Sequence, residues 1–376
     1  MRAKPARPDN GAASGASGLI VGAVSLRDFR SYAKLDLELE PGLVLVTGPN
    51  GAGKTNLLES LHVGTQGFSP RTRADQQLVR FGRDAARIAL RGDRAGVPVE
   101  LEVTLELGTG KRASLNGARL RAAEQLRGEV TTLVFTPDRL VVVKGGPAAR
   151  RAYFDRVLGR LSPSRAGLSA EYGAAVGQRN AALRRVAQGL SSRDALPPWN
   201  EQVSRLGAEL VEGRRATASA LEPGFGERAG ELGLEAAGLG YAAEAPTVAE
   251  LEARTERDLE RGTTSIGPHL DDVAVLAGDR DLRAFGSQGE QRLAVLALLL
   301  AEAELLEERR GVWPLLLLDD VLSELDPERR RILADRLRAT GQALVTSASR
   351  NALPGEPAQT IAVEQDRDGT SRAGAA

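Results

Sequence analysis

Residues 48–55 read GPNGAGKT and satisfy the pattern G-x-x-x-x-G-K-[ST] in full, with Gly48, Gly53, Lys54 and Thr55 at its fixed positions. The run before it, LVLVT, is short and wholly apolar, as in a strand buried on both faces. The run after it, NLLESLHVGT, sets Leu57, Leu58 and Leu61 on one helical side. Strand, glycine-rich turn and helix in that order make a phosphate cradle, the P-loop. In such a turn Gly48, Asn50, Gly51, Ala52 and Gly53 point backbone N–H groups at phosphate oxygens, while Pro49, which has no N–H, shapes the turn between them. Lys54 brings a mobile positive charge to the β and γ oxygens. Thr55 offers its hydroxyl to Mg²⁺, and Asn56 follows beside them. The expected ligand is ATP with Mg²⁺, and the expected fold class is α/β.

A P-loop needs a second carboxylate for the metal. LLLLDD supplies it: four leucines in a buried strand, then Asp319 and Asp320 at its C-terminal end. Asp319 would hold Mg²⁺, directly or through water, and Asp320 would orient or deprotonate the attacking water.

A second possible anion cradle lies far downstream. SQGE at 287–290 has the spacing of a capping box, in which Ser287 accepts from the N–H of residue 290 and Glu290 reaches back. The helix behind it is long and apolar, with Leu293, Leu296, Leu299 and Leu300. Gly289 leaves its first turn uncovered, at a helix-propensity cost of about 1 kcal/mol against alanine. An exposed helix start of this kind favours an anion. The P-loop already supplies one side of a triphosphate, so a second cradle is useful on the open side, brought there by a second copy of the chain. Ser287 and Gly289 would then meet the partner's ATP, in a head-to-tail homodimer that nucleotide closes and hydrolysis opens.

The rest of the chain constrains these readings. Acidic and basic residues balance, 50 to 50, so any DNA contact needs a local basic patch. Residues 150–195 carry nine arginines against three acidic residues, a local net of +6. There are no cysteines and two histidines, which excludes disulfides and thiolate chemistry and argues against a His-rich metal site. No apolar run is long enough to cross a membrane, and residues 1–18 lack an apolar signal core, so a disordered tail and a cytoplasmic location are expected.

Strand-like alternation marks KLDLELE and the stretch around ARIALRG and VPVELEV; TTLVF reads as a further strand. From about 148 to 262 the period is helical, with no clear strand. TSIGPHLDDVAVLAG and RDLRAFG read as strand-like again, and QALVTSAS as the last strand. The expected division is a tail over 1–18, the first half of a nucleotide-binding core over 19–140, a helical insertion over 141–262, and the second half over 263–376.

The P-loop, the S-x-G-[QE] helix start and the strand-DD followed by SELD together resemble the ATP-binding-cassette and SMC-type ATPases. More closely, the ordered pieces LRDFRSY, GPNGAGKTNLLESL, GFSPRT, TPDRLVVVKGGPAARRAYFD, QRNAALR, GPHLDD, SQGEQR and LLLLDDVLSELD resemble the RecF family. The likeness spans nearly everything after residue 18. It implies an ABC/SMC-head-like core, a mixed sheet plus an antiparallel β subdomain, with an inserted all-helical domain. It implies that Arg30 and Ser31 lie near the adenine or α-phosphate, that Arg71 is a further phosphate-facing arginine, and that Asp326 of SELD meets the partner chain. It also implies DNA binding by the closed dimer, and help to RecO and RecR in loading RecA on gapped DNA. The sequence departs from the family pattern at Gly286 (for Leu), Glu290 (for Gln) and Asp320 (for Glu), and the last departure implies slow hydrolysis. Thr346 or Ser347 stands where relatives carry a switch histidine. An ABC-transporter ATPase subunit is the alternative; the Arg-rich insertion and QRNAALR argue against it.

Overall fold

The computed structural model describes residues 18–376. The tail expected over 1–18 therefore lies outside the described residues, Gly18 excepted. The chain opens with a hairpin of β1 (Leu19–Phe29) and β2 (Tyr32–Glu38), then β3 (Gly42–Thr47), which runs into the glycine turn and α1 (Lys54–Gln66). Next come β4 (Ala85–Arg94), β5 (Val97–Glu106), β6 (Gly110–Leu115), β7 (Ala118–Arg119), the short α2 (Leu126–Glu129) and β8 (Thr132–Phe135). The middle of the chain is mostly helical: α3 (Val141–Lys144), α4 (Pro147–Leu161), α5 (Leu168–Ala187), α6 (Pro197–Glu231), β9 (Ala237–Gly240), α7 (Val248–Ala253) and α8 (Thr255–Arg261). The last part holds β10 (Ala274–Ala277), β11 (Arg280–Asp281), α9 (Leu282–Phe285), α10 (Gln288–Arg310), β12 (Leu315–Leu318), α11 (Pro327–Arg338), β13 (Gln342–Ser347), β14 (Gln359–Gln365) and β15 (Ser371–Ala375).

Two six-stranded sheets carry the nucleotide-binding part. One is antiparallel in the order β2-β1-β4-β5-β6-β7; the other runs β15-β14-β3-β13-β12-β8, parallel except for its edge strand β15. The second sheet is buried on both faces, and β12 shows how. Leu315 and Leu317 face a core shared with α1 and the antiparallel sheet, while Leu316 and Leu318 face a core shared with α10 and α11. All four leucines are at most 1% exposed, as an all-apolar parallel strand requires. Gln342, at the start of β13, joins the two sheets: its amide exchanges hydrogen bonds with Val21 N–H and C=O, each at 2.9 Å, and donates to Glu40 C=O.

The 35-residue α6, about 50 Å long at 1.5 Å per residue, belongs to two cores. Its first half packs Val203, Leu206 and Leu210 against Leu168, Tyr172 and Val176 of α5. Its second half packs Ala218, Leu221 and Phe225 into the core of α10 and the parallel sheet. The helical stretch thus shares its inner core with the nucleotide-binding part.

Three sequence readings change. A strand, β9, lies inside the stretch read as helical; AGLG has weak strand propensity and takes its form from pairing with β10. RDLRAFG is largely the helical turn α9, because the Asp281 carboxylate accepts from Arg283 N–H at 2.8 Å and caps it. QALVTSAS is not the last strand: β14 pairs with β3, and β15 follows as a hairpin.

His62 on α1 is buried, its Nδ1 donating to the Phe68 carbonyl at 2.9 Å. Burial pushes its pKa down to about 3. The unfolded chain takes up this proton below pH about 6.5 while the native chain does not, so stability falls as pH falls below that value, by about 2 kcal/mol at pH 5. Melting curves at pH 7 and pH 5 should show this slope, and His62→Asn, which keeps a donor near Nδ1, should flatten it.

Candidate nucleotide site

The P-loop is held by contacts from three other parts of the chain. A Cβ at Gly48 would stand 2.1 Å from the Val363 carbonyl of β14, so the turn can pass only with glycine there. Gly53 has φ +112 and its added Cβ would meet Ser371 Oγ at 2.4 Å. Ser371 of β15 donates to the Ala52 carbonyl at 2.6 Å, and Tyr32 donates to the Gly53 carbonyl at 3.1 Å. Pro49, Asn50 and Gly51 form the exposed tip, and an added Cβ at Gly51 would meet nothing within 4 Å. Lys54 folds back over this turn, donating to the carbonyls of Gly48 (2.6 Å) and Pro49 (2.8 Å). Burial lowers its pKa, offset by Asp320 and Asp319.

Asp319 ends β12 and is 8% exposed. Its N–H donates to Phe135 C=O at the end of β8, at 2.9 Å, which fixes the strand end. Its carboxylate accepts from Thr55 Oγ1, 2.9 Å from both oxygens, and from Thr346 Oγ1 at 2.8 Å. The same Thr346 hydroxyl accepts from Asp320 N–H at 2.8 Å. Asp320 sits at φ +51, a strained backbone for a residue with a Cβ, and its side chain is exposed. Thr346 thus holds both acids of the pair, whereas Ser347 only accepts from Ser349 N–H. Thr346→Val keeps the shape and removes the hydroxyl. It should leave ATP affinity within about threefold and lower turnover about tenfold, checked by equilibrium binding beside steady-state hydrolysis.

These residues fit the groups that the motif implies. The turn is open at its tip, and the Thr55 hydroxyl with the Asp319 carboxylate is an oxygen pair suited to Mg²⁺, which takes one carboxylate and fills its shell with water and phosphate oxygens. Among the described residues no group of three or more His, Cys, Asp and Glu side chains offers another metal site.

Arg30 and Arg71 have a partner the sequence did not suggest. Both turn to Glu59, a carboxylate on α1 with no exposed side-chain surface. Arg30 binds it with two nitrogens at 2.9 and 2.7 Å, Arg71 with Nη1 at 3.0 Å, and Ser69 donates to it at 2.6 Å. A buried carboxylate must be paired, and these two guanidiniums are its partners. Arg71 also donates to Asn56 at 3.1 Å, Asn56 to Ser31 at 2.8 Å, and the Ser31 hydroxyl lies 2.7 Å from Ser371 Oγ, to which it donates. The two arginines are thus paired with Glu59 and linked to the P-loop through Asn56 and Ser31. Sequence reasoning missed Glu59, although a lone glutamate within LLESLHV was the visible signal. It missed Tyr32 and Ser371 too, and nothing local marks those as P-loop contacts.

The second cradle is capped as its spacing predicts. Glu290 N–H donates to Ser287 Oγ at 3.2 Å, Ser287 N–H donates to Glu290 Oε2 at 2.8 Å, and Arg280 donates to the other Glu290 oxygen at 3.0 Å. The carboxylate so engaged has a lowered pKa, chiefly through that Ser287 N–H. Ser287 and Gly289 are exposed, and the nearest atom to an added Gly289 Cβ is Ser287 Oγ at 3.9 Å. Among the described residues no hydrogen bond joins 287–289 to the P-loop. Asp326 starts α11, accepting from Arg329 N–H at 2.9 Å with an Arg329 ion pair at 3.1 Å. A helix cap is thus its role within the chain.

The arginine-rich stretch also needs correction. Arg150 and Arg179 are fully buried, paired with Asp272 and Asp258, and Arg193 pairs with Glu256. Arg150 and Arg179 are structural and Arg193 stands in an exposed ion pair, so the nine arginines do not form one free basic face.

The family model described as "RecF/RecN/SMC N terminal domain" matches residues 20–372. The DNA replication and repair protein RecF of Frankia alni is 39% identical over 362 residues, covering 89% of this chain and 94% of that protein. The chain belongs to the RecF family. A solved structure of the recombination mediator protein RecF with ATP, in the RecFOR pathway, superposes with TM-score 0.84 at 26% identity, covering 96% of this chain and 99% of that one. An Smc head domain from Pyrococcus furiosus shares the fold, with TM-score 0.60 at 17% identity and 95% and 96% coverage. The ABC/SMC-head architecture expected from the sequence is the one observed. The RecF family, a family of replication and repair ATPases, takes the place of the transporter-subunit alternative. No helix among the described residues is long and apolar enough to cross a membrane.

Proposed function

We propose that this RecF-family chain works in the cytoplasm as a slow, DNA-stimulated ATPase of recombinational repair, and that ATP closes two copies head-to-tail on DNA. The observation that carries the reading is the separation of two half-sites. Lys54, Thr55, Asp319 and Asp320 gather at one place, while Ser287 and Gly289 form an exposed, rigidly capped helix start elsewhere. The amides of 48–53 hold the β and γ oxygens, and Lys54 leaves the Gly48 and Pro49 carbonyls for them. Mg²⁺, when bound by Thr55 and Asp319, neutralises charge on the phosphates. Asp320, exposed beside that pair, takes the proton of the attacking water. The partner's Ser287 hydroxyl and Gly289 N–H supply the open side of the γ-phosphate, and its Asp326 lies at the seam.

Asp320 is one methylene shorter than glutamate and its backbone is pinned by Thr346. Turnover below about 10 s⁻¹, the enzyme median, is the expected result, rising with added DNA. Charge on the arginine-bearing surfaces makes DNA binding sequence-tolerant and salt-sensitive. RecO and RecR are the partners that family membership suggests, with loading of RecA at gapped DNA as the outcome. The segment 141–262 acts as an arm inserted between the halves 19–140 and 263–376. Sedimentation with and without ATP and Mg²⁺, repeated with gapped DNA, tests the scheme. A chain that stays monomeric with ATP at concentrations saturating the P-loop would overturn it.

A further inference from the structure

A groove of about 730 Å³ runs from the end of α1 along α4 to α5, away from the P-loop residues. Arg127, Arg151, Arg156, Arg160, Arg214 and Arg310 line it, and Asp155 is its only lining carboxylate. Asp155 is already taken: Arg214 binds it with two nitrogens at 2.7 and 2.9 Å. Arg160 is taken by Glu302, whose Oε1 lies 2.5 Å from both its Nε and its Nη2. The other four make no salt bridge among the described residues. Arg127 lies 4.1 Å over the Phe68 ring and donates to the Gln66 carbonyl at 3.4 Å, Arg151 donates to the Asp271 carbonyl, Arg310 donates to the Arg160 carbonyl at 3.0 Å, and the Arg156 side chain has no hydrogen-bond partner among the described residues. Burial, then neighbouring guanidiniums, lowers the pKa of Arg151 and Arg156, and pushes Arg139 behind them down to about 10. Such crowding of like charge is unfavourable for the chain alone and is relieved by an anion.

The anion can be characterised further. Between the arginines the floor is built of small apolar residues, among them Ala148, Ala152, Ala166 and Ala170. Only two aromatic side chains besides His269 line the groove. Phe68 is covered by Arg127 on its face and packs edge-on with His62, and Tyr172 is buried with its hydroxyl 2.9 Å from His269 Nδ1. No ring is free to stack a base, so single-stranded nucleic acid gains little here beyond charge. A phosphate backbone would also leave the alanine floor unfilled. A short peptide that carries carboxylates along one edge and aliphatic side chains along the other uses both features.

We propose that this groove is a docking site for an acidic, amphipathic segment of a partner protein, with its carboxylates on Arg127, Arg151, Arg156 and Arg310 and its apolar side chains on the α4–α5 floor. The proposal stands apart from the ATP-dimer reading, since it uses none of those residues. It is tested on the full chain by fluorescence anisotropy with a labelled peptide carrying glutamates and leucines at helical spacing. Its controls are an all-glutamate peptide of equal charge and a DNA duplex. The expected result is saturable binding of the Glu/Leu peptide, weakened about tenfold or more by Arg127→Glu with Arg156→Glu. Both side chains reach solvent within the groove, though their neighbours partly desolvate them, so the fold and ATP binding should persist in that variant, which an unchanged melting curve checks. Arg185→Glu, an exposed change of equal sign outside the groove, should leave binding unchanged. Three outcomes overturn the proposal. The all-glutamate peptide could bind as well as the amphipathic one. The double variant could bind the peptide as the wild type does. Or the duplex could displace the peptide and lose affinity in the same variant, which would make the groove a nucleic-acid surface.

Discussion

Replacing Lys54 with alanine should abolish ATP hydrolysis to within about 10²–10³-fold of wild type or lower, and weaken ATP binding with it. Lys54 is the one flexible cation inside the turn, and its Nζ lies on the Gly48 and Pro49 carbonyls. In the wild type it moves from those carbonyls to the phosphates. The turn itself should survive its loss, because Ser371, Tyr32 and the Val363 backbone hold it from outside. The variant should therefore melt close to wild type while a fluorescent ATP analogue no longer binds tightly. A Lys54→Ala chain that hydrolyses ATP at wild-type rate would remove the P-loop from the reaction. Lys54→Arg separates two roles: if it binds ATP and associates but does not turn over, nucleotide binding alone closes the dimer.

Ser287→Arg should spare ATP binding and abolish ATP-dependent association. The side chain is exposed and makes no contact with its own P-loop, so the nucleotide-binding half is untouched. Loss of the cap complicates the result, since removing a serine cap costs about 1 kcal/mol of helix stability. Ser287→Asp resolves this. Aspartate caps as well as serine, but it sets a negative charge against the partner's γ-phosphate. Both variants should bind ATP and stay monomeric in sedimentation, with Ser287→Asp melting like the wild type. Normal dimerisation of both would place residues 287–289 outside the interface.

The nucleotide-binding elements were legible because each announces itself locally. The glycine turn follows an apolar strand, LLLLDD is a strand buried on both faces, and S-x-x-E fixes its own cap. What was not legible depends on partners far away in sequence. Arg30 and Arg71 read as free cations because their common acceptor, Glu59, is recognisable only once α1 packs under the β1–β2 turn. Arg150 and Arg179 read as surface charge until Asp272 and Asp258 arrive from more than seventy residues downstream. β9 has no strand signature and exists by pairing. β14 carries little more than three alternating residues and takes its place by pairing with β3, far earlier in the chain.

Gly42 in β3 pairs with Gln342 in β13, and the strand on its other side, β14, comes later still. While the protein is being made, β3 therefore waits, unpaired on both edges, until almost the whole chain has left the ribosome. At about 5–20 residues per second, that wait lasts tens of seconds, during which the antiparallel sheet can form from the first third of the chain. A nascent chain arrested before residue 371 would lack the Ser371 clasp on Ala52. The outer support of the P-loop thus assembles only after residues 359–371 have been made.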